Sequence, residues 1–507
     1  MAEWNSLLKN DFLKQSSDSH NMERLNRKTA PEETHLYPER IVQFGEGNFL
    51  RGFFDWMVAR MNRACGFHSG VVVVQPRAGG KGWMLNEQEG LFHVNLQGLL
   101  EGKPVDSIEM VDVVTRAVDP YREFDEYLAL AAKPELRFVV SNTTEAGITF
   151  DPTCRLDDRP ALSYPGKLTQ LLYHRFKTFE GDEQKGLVIL PCELIFHNGD
   201  ELKHCIEQYI ELWRLGEPFE KWFHQHCPIY NTLVDRIVPG YPQETIEALQ
   251  ERCGVEDRLM VKAEPYHLWV IEAPDPLAAE FPASRAGRNV LFTHNEELYH
   301  RRKVTLLNGP HTLLSPVGYL SGLDTVRQCV EDERVGEYVQ RVMMQELLPT
   351  LDLPREELTE YACGVMERFK NPSIHHYLTS IMLNSFPKFK ARDLPALKRY
   401  LEQQGCVPIG IVTGLAAIIT YYKGESRGTA TAQPQDAPET LKLLTSLWGD
   451  GDLSALARGV LSARFIWDED LNPIPGLSLL LERQLRSIQE KGMRGALGEM
   501  GLNEVQP

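Results

Sequence analysis

Three side chains with complementary chemistry lie close together in the segment HRRKVTLLNGPHTLLS, which spans residues 300–315. They are Lys303, Asn308 and His311. A lysine held in a dry site has a lowered pKa and can take a proton from an alcohol. An amide can hold the oxygen as alkoxide charge develops, and an imidazole can orient a neighbouring hydroxyl. This combination predicts hydride transfer at a secondary alcohol, with Lys303 as the general base.

The spacing of these residues decides whether they can act together. In an α-helix, which turns about 100° per residue, Asn308 lies about 140° and His311 about 80° around the axis from Lys303. All three can then face one cleft, although the Gly-Pro pair after Asn308 can distort the helix. Two other interpretations stay open. Residues 301–303 form a basic run that is typical of a solvated helix end, and His311 lies beside apolar residues that are typical of a core.

A glycine-rich turn follows the apolar run IVQF at residues 41–44. Gly45 and Gly47 let the chain turn tightly and let backbone N–H groups approach a pyrophosphate at the start of the next helix. Leu50 occupies the third glycine position of a strict GxGxxG fingerprint. A plain strand-to-helix turn also explains a lone GxG. The strand before it, the helix after it and a second strand at 70–76 favour a dinucleotide site.

The residues after the second strand bear on which dinucleotide binds. An Asp or Glu at this point usually binds the adenosine ribose hydroxyls of NAD. This chain has Gln75-Pro76-Arg77 instead, and Arg77 suits the 2′-phosphate of NADP. The spacing alone leaves NAD and NADP open.

Composition excludes several classes of protein. The 507 residues include 71 acidic and 54 basic ones, and the net charge of −17 disfavours nucleic acids and anionic membranes as partners. The nine cysteines form no CxxC pair, and no metal-ligand cluster is evident. The N-terminus lacks the apolar core of a secretory signal. The uncharged stretch 406–422 is interpreted as a buried helix, so we expect a soluble, cytoplasmic protein without a metal.

The distribution of strand and helix patterns predicts two domains of different class. Strand-like runs at 70–76, 136–144 and 186–195 alternate with helical stretches, which favours an α/β, Rossmann-type doubly wound sheet. From about residue 296 onward, helical periodicity dominates. We therefore predict an N-terminal extension at 1–37, a dinucleotide-binding domain at 38–285 and a mostly α-helical substrate and catalytic domain at 286–507.

Four motifs in order give the chain a specific resemblance. They are Gly45-x-Gly47-x-Phe49-x-Arg51, LVDRI at 233–237, EPY at 264–266 with WVIE at 269–272, and Lys303-x4-Asn308-x2-His311. This set resembles the polyol-specific long-chain dehydrogenase family, typified by mannitol dehydrogenase. The resemblance implies a Rossmann-type domain, a helical second domain and metal-independent catalysis with Lys303 as base. It implies that Asp235 aids proton exchange at Lys303; the alternative is a structural carboxylate paired with Arg236.

The resemblance also implies which residues bind the cofactor. The motifs FGEGNFLR at 44–51 and SNTTEAGI at 141–148 carry this expectation. The implied residues are Phe44, Gly45, Gly47, Asn48, Phe49, Arg51, Asn142, Thr144 and Glu145.

One departure from the mannitol-type pattern narrows the expected substrate. Cys192-Glu193-Leu194 replaces a Cys-Asp-Asn stretch whose asparagine helps to hold the reacting oxygen. With PCELI at 191–195, LNGPHT at 307–312 and RFKNP at 368–372, this is similar to the branch that interconverts D-tagaturonate and D-altronate in hexuronate breakdown. That branch uses NAD, which we therefore expect despite Arg77.

The substrate implied by this branch, a keto-uronate or aldonate, needs a cation for its carboxylate. Position in the second domain suggests four candidates, which the sequence does not rank: Arg368, Lys370, Lys388 and Arg392. The alternatives are fructuronate reduction, mannitol-type polyol oxidation and, in a different class, a non-catalytic NAD sensor. We expect a monomer or a small homo-oligomer.

Overall fold

The protein, seen in a computed structural model that describes residues 22–144, 147–374, 376–424 and 433–500, divides into two units. The first unit holds the chain up to Leu96 and from Asp106 to His294. The second holds Gln97–Val105 and the chain from Asn295 onward. The boundary predicted from sequence, after residue 285, lies shortly before His294.

The main sheet of the first unit has five parallel strands in the order β5-β2-β1-β6-β7. Counted along the chain, this is the 3-2-1-4-5 order of a doubly wound dinucleotide-binding sheet, so the predicted fold class is confirmed. Strand β2 reads GVVVV and all five of its residues are buried, because helices cover both faces of such a sheet. The strands are β1 (Glu39–Phe44), β2 (Gly70–Val74), β5 (Val114–Val118), β6 (Phe138–Ser141) and β7 (Val188–Pro191).

Two smaller sheets accompany the main sheet, and neither was predicted from sequence. In one, the order is β11-β10-β8, with β10 parallel to β11 and antiparallel to β8. In the other, the order is β4-β3-β9. Their bounds are β3 (Phe92–Leu100), β4 (Lys103–Val111), β8 (Thr232–Asp235), β9 (Val261–Ala263), β10 (Leu268–Glu272) and β11 (Val290–Thr293).

The helices of the first unit pack on the main sheet through a core of aliphatic and aromatic side chains. One example is Phe44, which is fully buried between Tyr127 and Tyr164. The α-helices are α1 (Asn48–Leu50), α2 (Trp56–Cys65), α3 (Gly82–Glu87), α4 (Phe124–Ala129), α5 (Tyr164–Thr178), α6 (Asn198–Leu212), α7 (Glu217–His226), α8 (Ile246–Cys253) and α9 (Pro276–Glu280). Short 3-10 turns lie at Leu130–Ala132 and Glu183–Lys185.

The described part of the N-terminal extension, residues 22–37, packs against the first unit. Leu25 is fully buried in a small cluster with Leu91 and Val255. Its backbone N–H donates to the carbonyl oxygen of Glu256 at 2.9 Å. This part of the extension is therefore held by the domain that follows it.

The second unit is built from helices, as the sequence predicted. Its most apolar helix, Ile409–Tyr421, lies in the core, which confirms the interpretation of the uncharged stretch 406–422 as a buried helix. The helices are α10 (Glu297–Lys303), α11 (Gly309–Leu320), α12 (Val326–Glu331), α13 (Glu333–Arg341), α14 (Arg355–Phe369), α15 (Leu378–Ile381), α16 (Ser385–Arg392), α17 (Leu394–Gln404), α18 (Ile409–Tyr421), α19 (Pro438–Gly449), α20 (Leu453–Leu461), α21 (Arg464–Trp467) and α22 (Leu477–Met500), with a 3-10 turn at Leu348–Thr350. Across the described residues, no helix combines the length and apolarity needed to cross a membrane.

Three π-helical turns interrupt the α-helices, at Arg51–Asp55, Val304–Asn308 and Val342–Leu347. Such turns insert one residue into the α-helical repeat and are frequent at functional sites. The first two lie within the two segments for which the sequence predicted chemistry.

Asp55, in the first π-turn, makes the stability of the first unit pH-dependent. Its carboxyl is fully buried, and burial raises its pKa to about 7, although a hydrogen bond from Gln43 and the charge of Arg51 act in the opposite direction. A raised carboxyl pKa means that the folded state holds the proton more tightly than the unfolded chain. The contribution of Asp55 to the free energy of unfolding is fully present below about pH 4. It is lost as the pH rises toward 7, by up to about 1.4 kcal/mol per pH unit.

We therefore expect Asp55→Asn, which stays neutral at every pH, to lose less thermal stability than the wild type between pH 5 and pH 8. Melting temperatures across this range check the prediction. Asp55→Ala is the control for lost packing, since it also removes the ionisable group but leaves a cavity. Parallel melting curves for the wild type and Asp55→Asn would contradict it.

Candidate functional site

A pocket of about 800 Å³ opens in the first unit at the carboxyl ends of β1, β2 and β6. These ends meet where the strand order reverses, which is where open α/β sheets bind ligands. The lining residues come from the turn after β1, the loop after β2, the loop after β6 and two later segments. They are Gly45, Glu46, Gly47, Asn48, Phe49, Arg51, Pro76, Arg77, Gly79, Gly80, Lys81, Met84, Leu85, Asn142, Thr143, Thr144, Tyr241, Arg258 and Leu259.

The two glycines of the turn meet different physical requirements. Gly45 has φ 128°, a conformation that favours glycine, and a Cβ there would stand 2.8 Å from the carbonyl oxygen of Asn142. Its N–H donates to the carbonyl oxygen of Val74, which ties the turn to β2. Gly47 has an ordinary φ of −69°, and a Cβ there would meet no atom within 4 Å. Gly45 is therefore required by the fold, whereas Gly47 leaves space for a ligand.

We expect Gly45→Ala and Gly47→Ala to separate these roles. Gly45→Ala should lower the free energy of unfolding by about 1–3 kcal/mol, because it forces a strained backbone and a close contact. Gly47→Ala should unfold like the wild type but bind NADH about tenfold more weakly. Denaturant unfolding and NADH fluorescence titration measure the two effects. Equal destabilisation by both substitutions would contradict the assignment.

Arg51 shapes the turn more than it presents charge to the pocket. Its guanidinium donates to the carbonyl oxygens of Glu46 and Leu259 and to Asn48 Oδ1. It also lies over the ring of Phe92. Burial lowers its pKa to about 10. These contacts hold the start of the helix in place.

The structure brings together most of the residues expected to bind the cofactor. Gly45, Gly47, Asn48, Phe49, Arg51, Asn142 and Thr144 all line the pocket. Phe44 does not, because its side chain lies in the core on the other side of the strand end. Glu145 lies outside the described residues.

Several lining residues were missed from sequence. Lys81, Tyr241 and Arg258 come from segments far from either predicted motif, and their spacing gives no signal of a shared pocket. The sequence indicates no role for Glu46 beyond its position between the two glycines. Its carboxylate reaches the loop after β2, where Oε1 accepts from the Lys81 N–H at 3.3 Å.

In the second unit, the π-turn changes the geometry predicted for Lys303 and Asn308. The Gly309 N–H donates to the carbonyl oxygen of Val304, five residues back. Pro310, the next residue, has no N–H to continue the α-helical pattern. Since a π-turn closes over five residues, Lys303 and Asn308 lie on one face of the helix instead of about 140° apart. The angle of about 140° predicted from an α-helix is therefore wrong for this segment. The π-turn favours action of Lys303 and Asn308 on the same ligand.

The helix segment is not a solvated basic end. Lys303 is partly buried, and Arg302 is almost fully buried, where it pairs with Glu357 at 2.6 Å and lies over Tyr361. Arg301 of the basic run forms an exposed ion pair with Asp352.

Asn308 and His311 carry polar atoms without protein partners. Within the described chain, Asn308 Oδ1 and His311 Nε2 are buried and accept or donate no hydrogen bond. The His311 ring packs on Phe369 and His376 at centroid distances of 4.4 and 4.9 Å. Burial lowers the pKa of His311 well below its usual value, and the charges of His376, Arg368 and Arg392 act in the same direction. A neutral imidazole with an unmet polar atom suits a ligand hydroxyl.

Asp235 ends strand β8 in the first unit and is buried. The pairing with Arg236 considered from sequence stays an alternative. Arg236 donates to the carbonyl oxygens of Gly52 and Glu264 and lies over the ring of Trp56. A role for Asp235 in proton exchange stays a prediction.

The Cys-Glu-Leu stretch after β7 separates two functions. Glu193 is buried and accepts hydrogen bonds from Ser141, from the Thr143 hydroxyl and from the Thr143 N–H. Leu194 is 60% exposed and has no polar side-chain atom. Glu193 therefore ties the loop after β6 to β7, and Leu194 supplies no hydrogen bond to a substrate. Across the described ranges, no cluster of His, Cys, Asp and Glu has the arrangement of a metal site.

A doubly wound sheet with a pocket at its switch point, together with a helix that carries Lys303, Asn308 and His311, defines a dinucleotide-binding oxidoreductase. Family models extend this to most of the chain: the mannitol dehydrogenase Rossmann domain matches residues 39–283, and the mannitol dehydrogenase C-terminal domain matches residues 296–486. The chain belongs to the mannitol dehydrogenase family, which confirms the resemblance seen in the sequence. It is an oxidoreductase that acts on a CH–OH group.

Relatives of known name cover nearly the full length. An altronate oxidoreductase of Bacteroides thetaiotaomicron is 59% identical over 473 residues, covering 93% of this chain and 98% of the relative. An altronate oxidoreductase of Bacillus subtilis is 43% identical over 478 residues, covering 94% and 98%.

Two solved structures share the fold. A mannitol 2-dehydrogenase of Pseudomonas fluorescens, in ternary complex with NAD and D-mannitol, has a TM-score of 0.67 at 20% identity, covering 95% of this chain and all of that one. A D-sorbitol dehydrogenase in substrate-free form has a TM-score of 0.78 at 20% identity, covering 94% of this chain and all of the other.

Proposed function

We propose that this enzyme interconverts D-tagaturonate and D-altronate with NAD(H), using Lys303 as general acid and base. The observation that carries the proposal is the 59% identity to an altronate oxidoreductase over nearly the whole of both chains. The face shared by Lys303 and Asn308 and the pocket at the sheet's switch point support the chemistry.

In the reductive direction, the residues of this chain bind, orient and protonate. The pocket at Gly45 and Gly47 holds the dinucleotide, and NADH, when bound, supplies the hydride. Asn308 donates to the ketone oxygen as negative charge develops on it. The ammonium of Lys303 gives its proton to that oxygen, so that the product is a neutral secondary alcohol. His311 holds a neighbouring hydroxyl and so sets the orientation of the substrate chain.

The preference for NAD over NADP follows from Glu46 in this proposal. Its carboxylate lies against the loop after β2, where the adenosine ribose of a bound dinucleotide is expected. A carboxylate accepts hydrogen bonds from ribose hydroxyls and repels a 2′-phosphate. It thereby takes the place of the acidic residue that is missing after β2. Arg77 and Lys81, in the same pocket, act in the opposite direction.

A panel of substrates and cofactors tests the proposal. Purified enzyme is assayed by NADH absorbance with D-tagaturonate, D-fructuronate and D-fructose, each with NADH and with NADPH. We expect D-tagaturonate with NADH to have the highest kcat/KM by at least tenfold. Faster reduction of D-fructuronate or D-fructose would overturn the substrate, and equal rates with NADPH would overturn the cofactor. Binding of NADH without turnover of any substrate would indicate a sensor.

A further inference from the structure

We infer that Arg392 binds the carboxylate of the substrate and so determines the preference for a uronate over a neutral sugar. This inference rests on the proposed function and deepens it, since it selects one of the four cations that the sequence left unranked. The contacts that support it lie within the second unit.

Hydrogen bonds connect Arg392 to the helix that carries the reactive residues. Arg392 is the last residue of α16, and its Nη1 donates to Thr312 Oγ1 at 3.1 Å. The Thr312 hydroxyl donates in turn to the carbonyl oxygen of Asn308 at 3.1 Å. The guanidinium therefore lies one helical turn from Asn308, beside the residue that follows His311.

Arg392 has N–H donors that its hydrogen bond to Thr312 does not use. A guanidinium carries five N–H groups in a planar fork, and the Thr312 hydroxyl takes only one of them. Among the described residues, Arg392 forms no ion pair with an acidic side chain, although it is partly buried. The neighbouring Asp393 does not supply one, because both of its carboxyl oxygens are fully buried and have no hydrogen-bond partner in the described chain. Burial raises the pKa of Asp393 well above its usual range, while the charge of Arg392 acts in the opposite direction.

The surroundings of Arg392 are positively charged. Lys388, on the same helix, has a pKa lowered by burial and by the charge of Arg392. The charges of Arg368 and Arg392 both reach His311. Several cations in a partly buried region repel one another and lose hydration, which costs stability until an anion joins them. A carboxylate on the ligand removes this cost, whereas a neutral hexose does not.

The other three candidates are less suited to the task. Lys370 is exposed at the end of α14. The ammonium of Lys388 donates to the carbonyl oxygen of Ile381 at 2.7 Å, which directs it toward its own segment. Arg368 is almost fully buried on α14, and its charge acts on His311 together with that of Arg392. Arg392 is preferred because it combines a fork with unused N–H groups and a hydrogen bond to α11.

A keto-uronate matches this placement. Its ketone and its carboxylate stand near opposite ends of a six-carbon chain, so a carboxylate receptor must lie some distance along from the residues that hold the ketone oxygen. Arg392 satisfies this requirement, because it contacts Thr312, which lies one helical turn beyond Asn308. Two parallel N–H···O bonds from a guanidinium fork to a carboxylate are strong and directional.

The experiment compares D-tagaturonate with D-tagatose, its neutral counterpart, in the full-length enzyme with NADH. We expect Arg392→Gln to lower kcat/KM for D-tagaturonate by about 10- to 100-fold, which is the effect of losing charge-assisted hydrogen bonds. The value for D-tagatose should stay within about threefold. Arg392→Lys keeps the charge but not the fork, so it should give an intermediate loss.

Lys390→Gln is the matched control, since it removes one positive charge from the same helix but breaks only a pair with the exposed Asp468. It should leave both substrates unchanged. NADH titration and melting curves check that each variant folds. If Arg392→Gln proves unstable, Arg392→Lys carries the test, and an unchanged substrate ratio in that variant overturns the inference.

The outcomes separate this inference from the proposed function. Wild-type enzyme that reduces D-tagaturonate, with an Arg392→Gln variant that reduces it equally well, would overturn the role of Arg392 alone. An equal loss on both sugars would show a structural role and also overturn it. Wild-type enzyme that turns over only neutral sugars would overturn the proposed function, and the carboxylate site with it.

Discussion

Lys303→Ala lowers kcat by about 10³- to 10⁴-fold, while the affinity for NADH stays within about twofold of the wild type. The loss is large because alanine can neither give nor take the proton that must move as the C–O bond changes order. Cofactor binding survives because the pocket that holds it is built from residues of the first unit. Stopped-flow reduction of D-tagaturonate and fluorescence titration with NADH measure the two quantities.

Chemical rescue distinguishes a lost proton donor from a damaged fold. Small primary amines added to Lys303→Ala should restore part of the rate, with an efficiency that follows the pKa of the amine. Lys303→Met, which keeps most of the side-chain volume, should be as slow as alanine but should not differ from the wild type in melting temperature. Turnover of Lys303→Ala at more than about a tenth of the wild-type rate would refute the general acid and base assignment.

Asn308→Ala lowers kcat by about 10²- to 10³-fold with a smaller change in KM, which is the second largest effect we expect. A donor aimed at a developing alkoxide acts mainly in the transition state, so its loss appears in kcat. Leu194, at the position where the resemblance in the sequence implies an amide donor, is exposed and has no polar side-chain atom, so Asn308 is the amide we expect to hold the oxygen. Steady-state kinetics with D-tagaturonate measure the change.

Asn308→Asp is the informative companion, because it keeps the size of the side chain but replaces the donor with a carboxylate. It should be slower than Asn308→Ala, since negative charge would face the developing alkoxide. A variant Asn308→Ala that raises KM and leaves kcat intact would show that Asn308 binds the substrate without stabilising the transition state.

Local patterns in the sequence were sufficient for the class of the fold. The run GVVVV at 70–74 is apolar at every position, which is the pattern of a strand covered on both faces, and it forms β2, an interior strand of the sheet. The turn at Gly45 could be placed because a short strand, a glycine pair and a helix follow one another along the chain. The types of the residues Lys303, Asn308 and His311 led to a prediction of their chemistry, which stays a prediction.

The smaller sheets of the first unit lay beyond such patterns. Strand β9 has three residues and pairs with β3, and strand β8 pairs with β10 some thirty residues later. Short strands such as these carry too few residues for an alternating pattern, and their hydrogen bonds join distant segments. Lys81, Tyr241 and Arg258 also come from distant segments, so their positions in the sequence do not predict that they line one pocket.

The sequence by itself therefore determined the doubly wound sheet and the helical second half, because these depend on periodicity, and it predicted the reactive side chains from their chemical type. Only the tertiary structure decided how those side chains are arranged. The π-turn before Pro310 brings Lys303 and Asn308 to one face, and the contact of Arg392 with Thr312 brings a cation to the same helix. The extra residue in the π-turn and the hydrogen bond between residues 80 positions apart depend on packing and backbone hydrogen bonding. The local spacing of residues in the sequence predicts neither of them.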